Sequence, residues 1–157
     1  MAEVTHEQVD LMLRLYEMRR EPRLREARDW YMANFHPTSV EEMQQQFPPN
    51  SKENASMRMV ISYWQMVASI VNRGLIDEEF FFENSGEQWM VWERLKPVAG
   101  AMRARYKNPH AYGALEEHVK RLEAWREKRA PGATEAMRQM VARPAQAAVP
   151  HAKTAAD

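Results

Sequence analysis

The chain contains no cysteine. Disulfides, thiol nucleophiles and thiolate metal sites are thereby excluded, and the redox compartment is left undetermined. Glycine is scarce, five residues in 157, and never clustered. Phosphate-cradling loops need closely spaced glycines so that backbone can approach the phosphate, so P-loop and dinucleotide-type binding are excluded. A β-rich fold would also need more turn glycines than these, which favours an all-α reading. There is no Gly-x-Ser-x-Gly elbow and no HExxH pair. The opening segment MAEVTHEQVD lacks a basic region followed by an apolar one, so no secretory signal is expected. Arg58 and Gln65 interrupt the longest apolar run, which is too short to span a bilayer. A cytoplasmic location is the default expectation. Net charge is also absent, with 22 Lys and Arg against 22 Asp and Glu.

What is present is an ordinary globular composition, 45% hydrophobic and 28% charged, long enough for one substantial core. Its centre is the stretch from Ser51 to Gly74. Met57, Met59, Val60, Ile61, Tyr63, Trp64, Met66, Val67, Ile70 and Val71 place apolar groups on nearly every face of a helix, with small residues between them. Such a helix has to be wrapped by others. Helix-start signals recur on either side of it. Thr5 precedes Gln8 at the spacing of a capping box, and Ser39 precedes Glu42 at the same spacing. Pro22 marks a break at Glu21, His36-Pro37 closes the second helix, and Pro48-Pro49 stops the third. Gly74 suits the end of the central helix, and Asp77 caps the short segment holding Phe80, Phe81 and Phe82. Pro97 lies within a helical pattern that continues to Tyr106, so a kink or two abutting helices is expected. Asn108-Pro109 reads as the cap and first residue of a further helix, on which Ala111, Leu115, His118, Leu122 and Trp125 make a heptad-like seam. Thr134 to Arg143 extends the pattern by a further turn or two. The fold class is therefore all-α: one bundle of six to eight helices over residues 1–143 around a buried central helix. An Ala/Pro-rich tail, expected to be disordered, covers residues 144–157.

Charge is uneven. Residues 1–93 hold 9 Lys and Arg against 16 Asp and Glu, and residues 94–157 hold 13 against 6. This reads as acidic and basic helices packed side by side. From Arg14 to Arg28 six arginines alternate with Glu17, Glu21 and Glu26, the pattern of ion pairs on a solvated helix rather than a phosphate track. Nucleic acid is accordingly not expected as a partner.

The candidate chemistry is sparse. His6 and Asp10 stand four apart on the first helix, a weak metal pair set against a simple surface contact. No metal and no cofactor are expected. Glu116 and Glu117 precede His118, but adjacent helical residues splay by about 100° and make no dyad. His118 itself is expected to be a satisfied core or interface residue. Arg105-Tyr106-Lys107-Asn108-Pro109-His110 has an Arg-x4-His spacing that resembles the active motif of the HEPN-type helical ribonucleases. The resemblance implies that Arg105 and His110 act on phosphate and 2′-hydroxyl at the start of a helix. Tyr106 stands where that motif carries a polar residue. Trp89, Trp92 and Trp125, with Tyr63 and Trp64, could line an aromatic pocket, although stripes of this kind are more often core.

The run from Ser62 to Tyr112 resembles an uncharacterised family of small bacterial helical proteins through Tyr63, Trp64, Val71, Gly74, Ile76, Asp77, Trp89, Pro97, Arg103 and Tyr112. The resemblance implies an all-α fold and a bacterial origin, and brings no catalytic residue. Some members begin with a membrane helix, which is not expected here. The leading expectation for function is a non-enzymatic interaction or regulatory module that self-associates, with Trp64, Trp89, Trp92, Arg103, Tyr106 and Tyr112 as its ligand or partner surface. Two alternatives stand beside it: a ribonuclease using Arg105 and His110, and a small-ligand binder with an aromatic and methionine pocket beside Trp64 or Trp92.

Overall fold

The computed structural model describes residues 3–142, and the Ala/Pro-rich stretch 144–157 lies outside the described residues. Among the described residues there are eight helices and no strand: α1 (His6–Arg19), α2 (Pro22–Asn34), α3 (Val40–Gln46), α4 (Lys52–Asn72), α5 (Glu78–Asn84), α6 (Glu87–Arg105), α7 (Gly113–Arg129) and α8 (Ala133–Ala142). None of these helices is long and apolar enough to cross a membrane.

The helix starts follow from short polar side chains that accept from otherwise orphaned backbone N–H groups. Thr5 accepts from Gln8 N at 3.3 Å, Ser39 from Glu42 N at 3.1 Å, Ser51 from Asn54 N at 3.0 Å and Asp77 from Phe80 N at 2.9 Å. Glu21 caps α2 through Leu24 N at 3.0 Å, just before Pro22. The two expected capping boxes are only half made. Gln8 accepts from the distant Asp77 N at 3.0 Å, and Glu42 accepts from Thr38 N at 2.8 Å. α4 ends in a Schellman turn, with Leu75 N donating to Ile70 O at 3.3 Å and Gly74 at φ 74°. Pro97 lies inside one continuous α6.

The start of α7 differs from expectation. Asn108 and Pro109 form a turn rather than a helix start. Asn108 Oδ1 accepts from His110 N at 3.0 Å, and the helix begins only at Gly113, after Tyr112 at φ 62°. The Asn side chain closes on its own backbone two residues on, which competes with helix nucleation. The cap of α7 comes from elsewhere: Gln65 on α4 accepts from Leu115 N at 2.9 Å, and Asn72 on α4 donates to Ala114 O at 2.9 Å.

The chain divides into two compact units, one ending at Leu122 and the other beginning at Glu123. In the first, α4 is central and packs most extensively on α2. Tyr31, Phe35, Val60, Trp64, Trp89, Leu95 and Leu115 are among its fully buried side chains. Tyr31 donates to Val91 O at 2.8 Å, and burial pushes its phenol well above the ordinary value. Arg94 donates to Tyr31 O and Met32 O, so a cation caps the C-terminal end of α2. The second unit holds the end of α7 and α8, joined by a turn at Gly132 with φ 83°. Within it Arg138 pairs with Glu123, and Arg129 lies 4.8 Å from the Trp125 ring centre.

Candidate functional site

The sequence placed three tryptophans on a ligand or partner surface. Trp64 is 2% exposed, Trp89 0% and Trp92 6%. They fill the core, because large aromatic side chains at helical spacing remove the most apolar area from water when they face inward. The indole of Trp64 keeps one polar tie, donating to Glu87 Oε1 at 3.1 Å.

Arg103, Tyr106 and Tyr112 fare differently. Arg103 is a clamp. Its Nε donates to Ala111 O at 2.8 Å and its Nη2 to Glu116 Oε2 at 2.6 Å, pinning the 106–112 segment to the start of α7. That pairing holds the Glu116 carboxyl below the usual range. Tyr106 is 59% exposed. Tyr112 is half-buried, and burial raises its phenol, with Tyr106 adding to the effect. A left-handed φ on an aromatic residue is strained, and so is φ 51° at Lys107. The clamp from Arg103 helps to hold this strain in place.

Tyr106 and Tyr112 line one side of a groove of about 960 Å³, opposite Met43 of α3 and Met57, Arg58 and Met59 of α4. On the other side of α4 lies a shallower groove of about 540 Å³, between Met18 and Leu24 and the α4 residues Met59, Tyr63 and Met66. The two grooves share Met59 and Ser62. α4 is therefore not wrapped all round. Ala55, Arg58, Met59, Ser62 and Met66 form one open stripe along it. Met59 is 37% and Met66 38% exposed, and Met18 beside them is 49% exposed. The polar group in the middle of the stripe is already satisfied: Ser62 Oγ donates to Arg58 O at 2.6 Å. The sequence held a signal for this face, since Arg58 and Ser62 stand four apart, on one face of the apolar part of the helix. The dense apolar pattern around them masked it.

Arg105 and His110 do not share a helix start. Arg105 is the last residue of α6, His110 lies in the turn that follows, and both are exposed. The Asn108 turn that delayed α7 is what leaves His110 outside a helix.

A third feature lies under α1. Glu87 at the start of α6 accepts a two-pronged bond from Arg28, with Nε at 2.7 Å, and lies 3.9 Å from Arg19 Nη1. Arg28 also donates to Arg19 O at 3.1 Å. One carboxylate thus ties α1, α2, α4 and α6 together. Beside it a half-open cleft of about 230 Å³ is lined by α1, α4 and the end of α5.

The family described as a domain of unknown function (DUF4760) matches residues 4–122. The run from Ser62 to Tyr112 that carries the family resemblance lies inside that match, and the match ends at the last residue of the first compact unit. No curated protein and no solved structure matches the chain.

Proposed function

The chain belongs to the DUF4760 family, and from its own surface we propose that it is a non-enzymatic interaction module whose partner is a second copy of itself, docked along the open stripe of α4. One observation carries this reading. The hydroxyl of Ser62 is spent within its own helix, so the Ala55, Met59, Ser62 and Met66 part of the stripe can be buried dry without stranding a polar group, with Arg58 left at its edge. Ala55 and Ser62 are small enough to let two helices approach closely. Met59, Met66 and Met18 are flexible apolar side chains that mould to an opposing surface. The flanks are self-complementary. Arg58 lies in one groove and Glu21 in the other, so a two-fold axis running along α4 sets the arginine of one copy against the glutamate of the other.

Sedimentation equilibrium over a concentration series tests this. The native chain is expected to be a reversible dimer, and Ser62→Glu or Met66→Glu is expected to give a monomer with unchanged helix content, because both sites are exposed. A chain that stays monomeric at several hundred micromolar, or a dimer indifferent to both substitutions, would refute the reading.

A further inference from the structure

We propose that the cleft under α1 is a binding site for a small apolar carboxylate, held at its head by Arg19 and along its body by Tyr63 and Trp64. The cleft measures about 230 Å³. An apolar cavity of about 150 Å³ holds a benzene ring, so this one takes roughly ten non-hydrogen atoms. Its walls are side chains of Met12, Leu13, Val67 and Phe81, closed at the floor by the two aromatic rings. That is the usual build of a small-molecule site, mostly apolar with few polar groups.

Donor accounting selects the head group. Tyr63 donates to Leu15 O and Trp64 to Glu87, while Asn84 donates to Phe80 O at 2.8 Å and Ser85 to Gln88 Oε1 at 2.9 Å. Arg19 differs. Its Nε is buried with no hydrogen-bond partner, and its Nη1 reaches Glu87 only at 3.9 Å because Arg28 already occupies that carboxylate. Two guanidinium groups therefore share one carboxylate, leaving a surplus positive charge, with Arg19 Nη1 only loosely held, at the edge of an apolar cleft. A second carboxylate answers that charge, since guanidinium groups favour carboxylate partners. A cationic head is repelled, and a neutral head leaves the charge unmet. At the lip, Leu13 is 49% and Tyr16 48% exposed, and the Tyr16 ring lies 4.9 Å from the Arg19 guanidinium carbon. Entry thus needs side-chain movement only. The site shares Tyr63 with the shallower α4 groove but stands independently of self-association.

The experiment titrates the full chain with 3-phenylpropionate, and separately with its amide and with 3-phenylpropylamine, by calorimetry and by the indole N–H resonances. The carboxylate is expected to bind saturably, about tenfold or more tighter than either analogue, the worth of one charge-assisted contact. Arg19→Gln is expected to reduce the carboxylate to the level of the amide. Leu13→Trp, at an exposed wall position that the fold does not depend on, is expected to block all three probes. Equal binding of the three probes, no binding, or carboxylate affinity unchanged in both variants would overturn the proposal.

Discussion

His118 on α7 is fully buried, with neither ring nitrogen hydrogen-bonded, and its imidazole meets Phe81 and Phe82 edge-on at 5.6 Å and 5.2 Å. The seam spacing pointed to an inward, satisfied histidine; it is inward, but its two ring nitrogens are unsatisfied because phenyl rings surround it. The spacing could not show that the surroundings would be two phenyl rings, because Phe81 and Phe82 lie far away in sequence on α5. Burial pushes the imidazole from 6.5 down to about 4, helped by the charge of Arg121, which itself pairs with Glu78 and Glu117. The folded chain therefore keeps His118 neutral where the unfolded chain has protonated it. The contribution is complete above pH 6.5 and is lost as pH falls through the window to about 4, a total of about 3 kcal/mol. His118→Leu is expected to leave stability at pH 7.5 unchanged or higher, since two unpartnered nitrogens go with it. It is also expected to flatten the decline between pH 6.5 and 4. Urea unfolding at three pH values checks this, and a variant as pH-sensitive as the native chain would contradict it.

Among the elements, the ends that lean on their own neighbours were legible and the ends that lean on distant residues were not. Thr5, Glu21, Ser39, Ser51 and Asp77 each cap the helix they precede, and each is a local side chain three residues from its donor. α7 obeys no such local rule. The delay of its start leaves the 106–112 segment as a strained connector, with Lys107 and Tyr112 both at positive φ. What holds it is Arg103, bonded at once to a connector carbonyl and to Glu116. Lysine is a point donor and cannot make both contacts in that geometry. Arg103→Lys is expected to cost about 1–2 kcal/mol, the worth of a charge-assisted pair. It should also speed amide exchange across 106–113 while α4 stays protected. Unaltered exchange in that segment would show that the connector is held by something else. The open stripe of α4 lies between legible and hidden. Its composition is visible in the sequence, but an apolar helix with one polar residue per turn reads the same whether that residue meets solvent or a partner.

Taken whole, the molecule places the family-matched residues and the first compact unit over the same span, both ending at Leu122. A chain ended at Leu122 is expected to unfold in a single cooperative transition, with the near-ultraviolet signature of its buried tryptophans intact. Gradual melting without that signature would show that later residues are required for the core. The uneven charge was legible as a whole-chain property, and one of its consequences is seen in the pair between Arg121 and Glu78 at 3.3 Å, basic half to acidic half. Which carboxylate meets which guanidinium was not legible, since Arg28 crosses 59 positions to reach Glu87. The borrowed cap of α7 has one more consequence, in the order of events. Gln65 stands 50 positions ahead of the N–H it serves, so the first turn of α7 gains this bond only where α4 is already formed. A peptide spanning α7 alone would stay largely uncoiled in water, as short helices without caps do. During synthesis the cap leaves the ribosome before the helix it serves, so α7 is expected to reach its full stability only alongside α4.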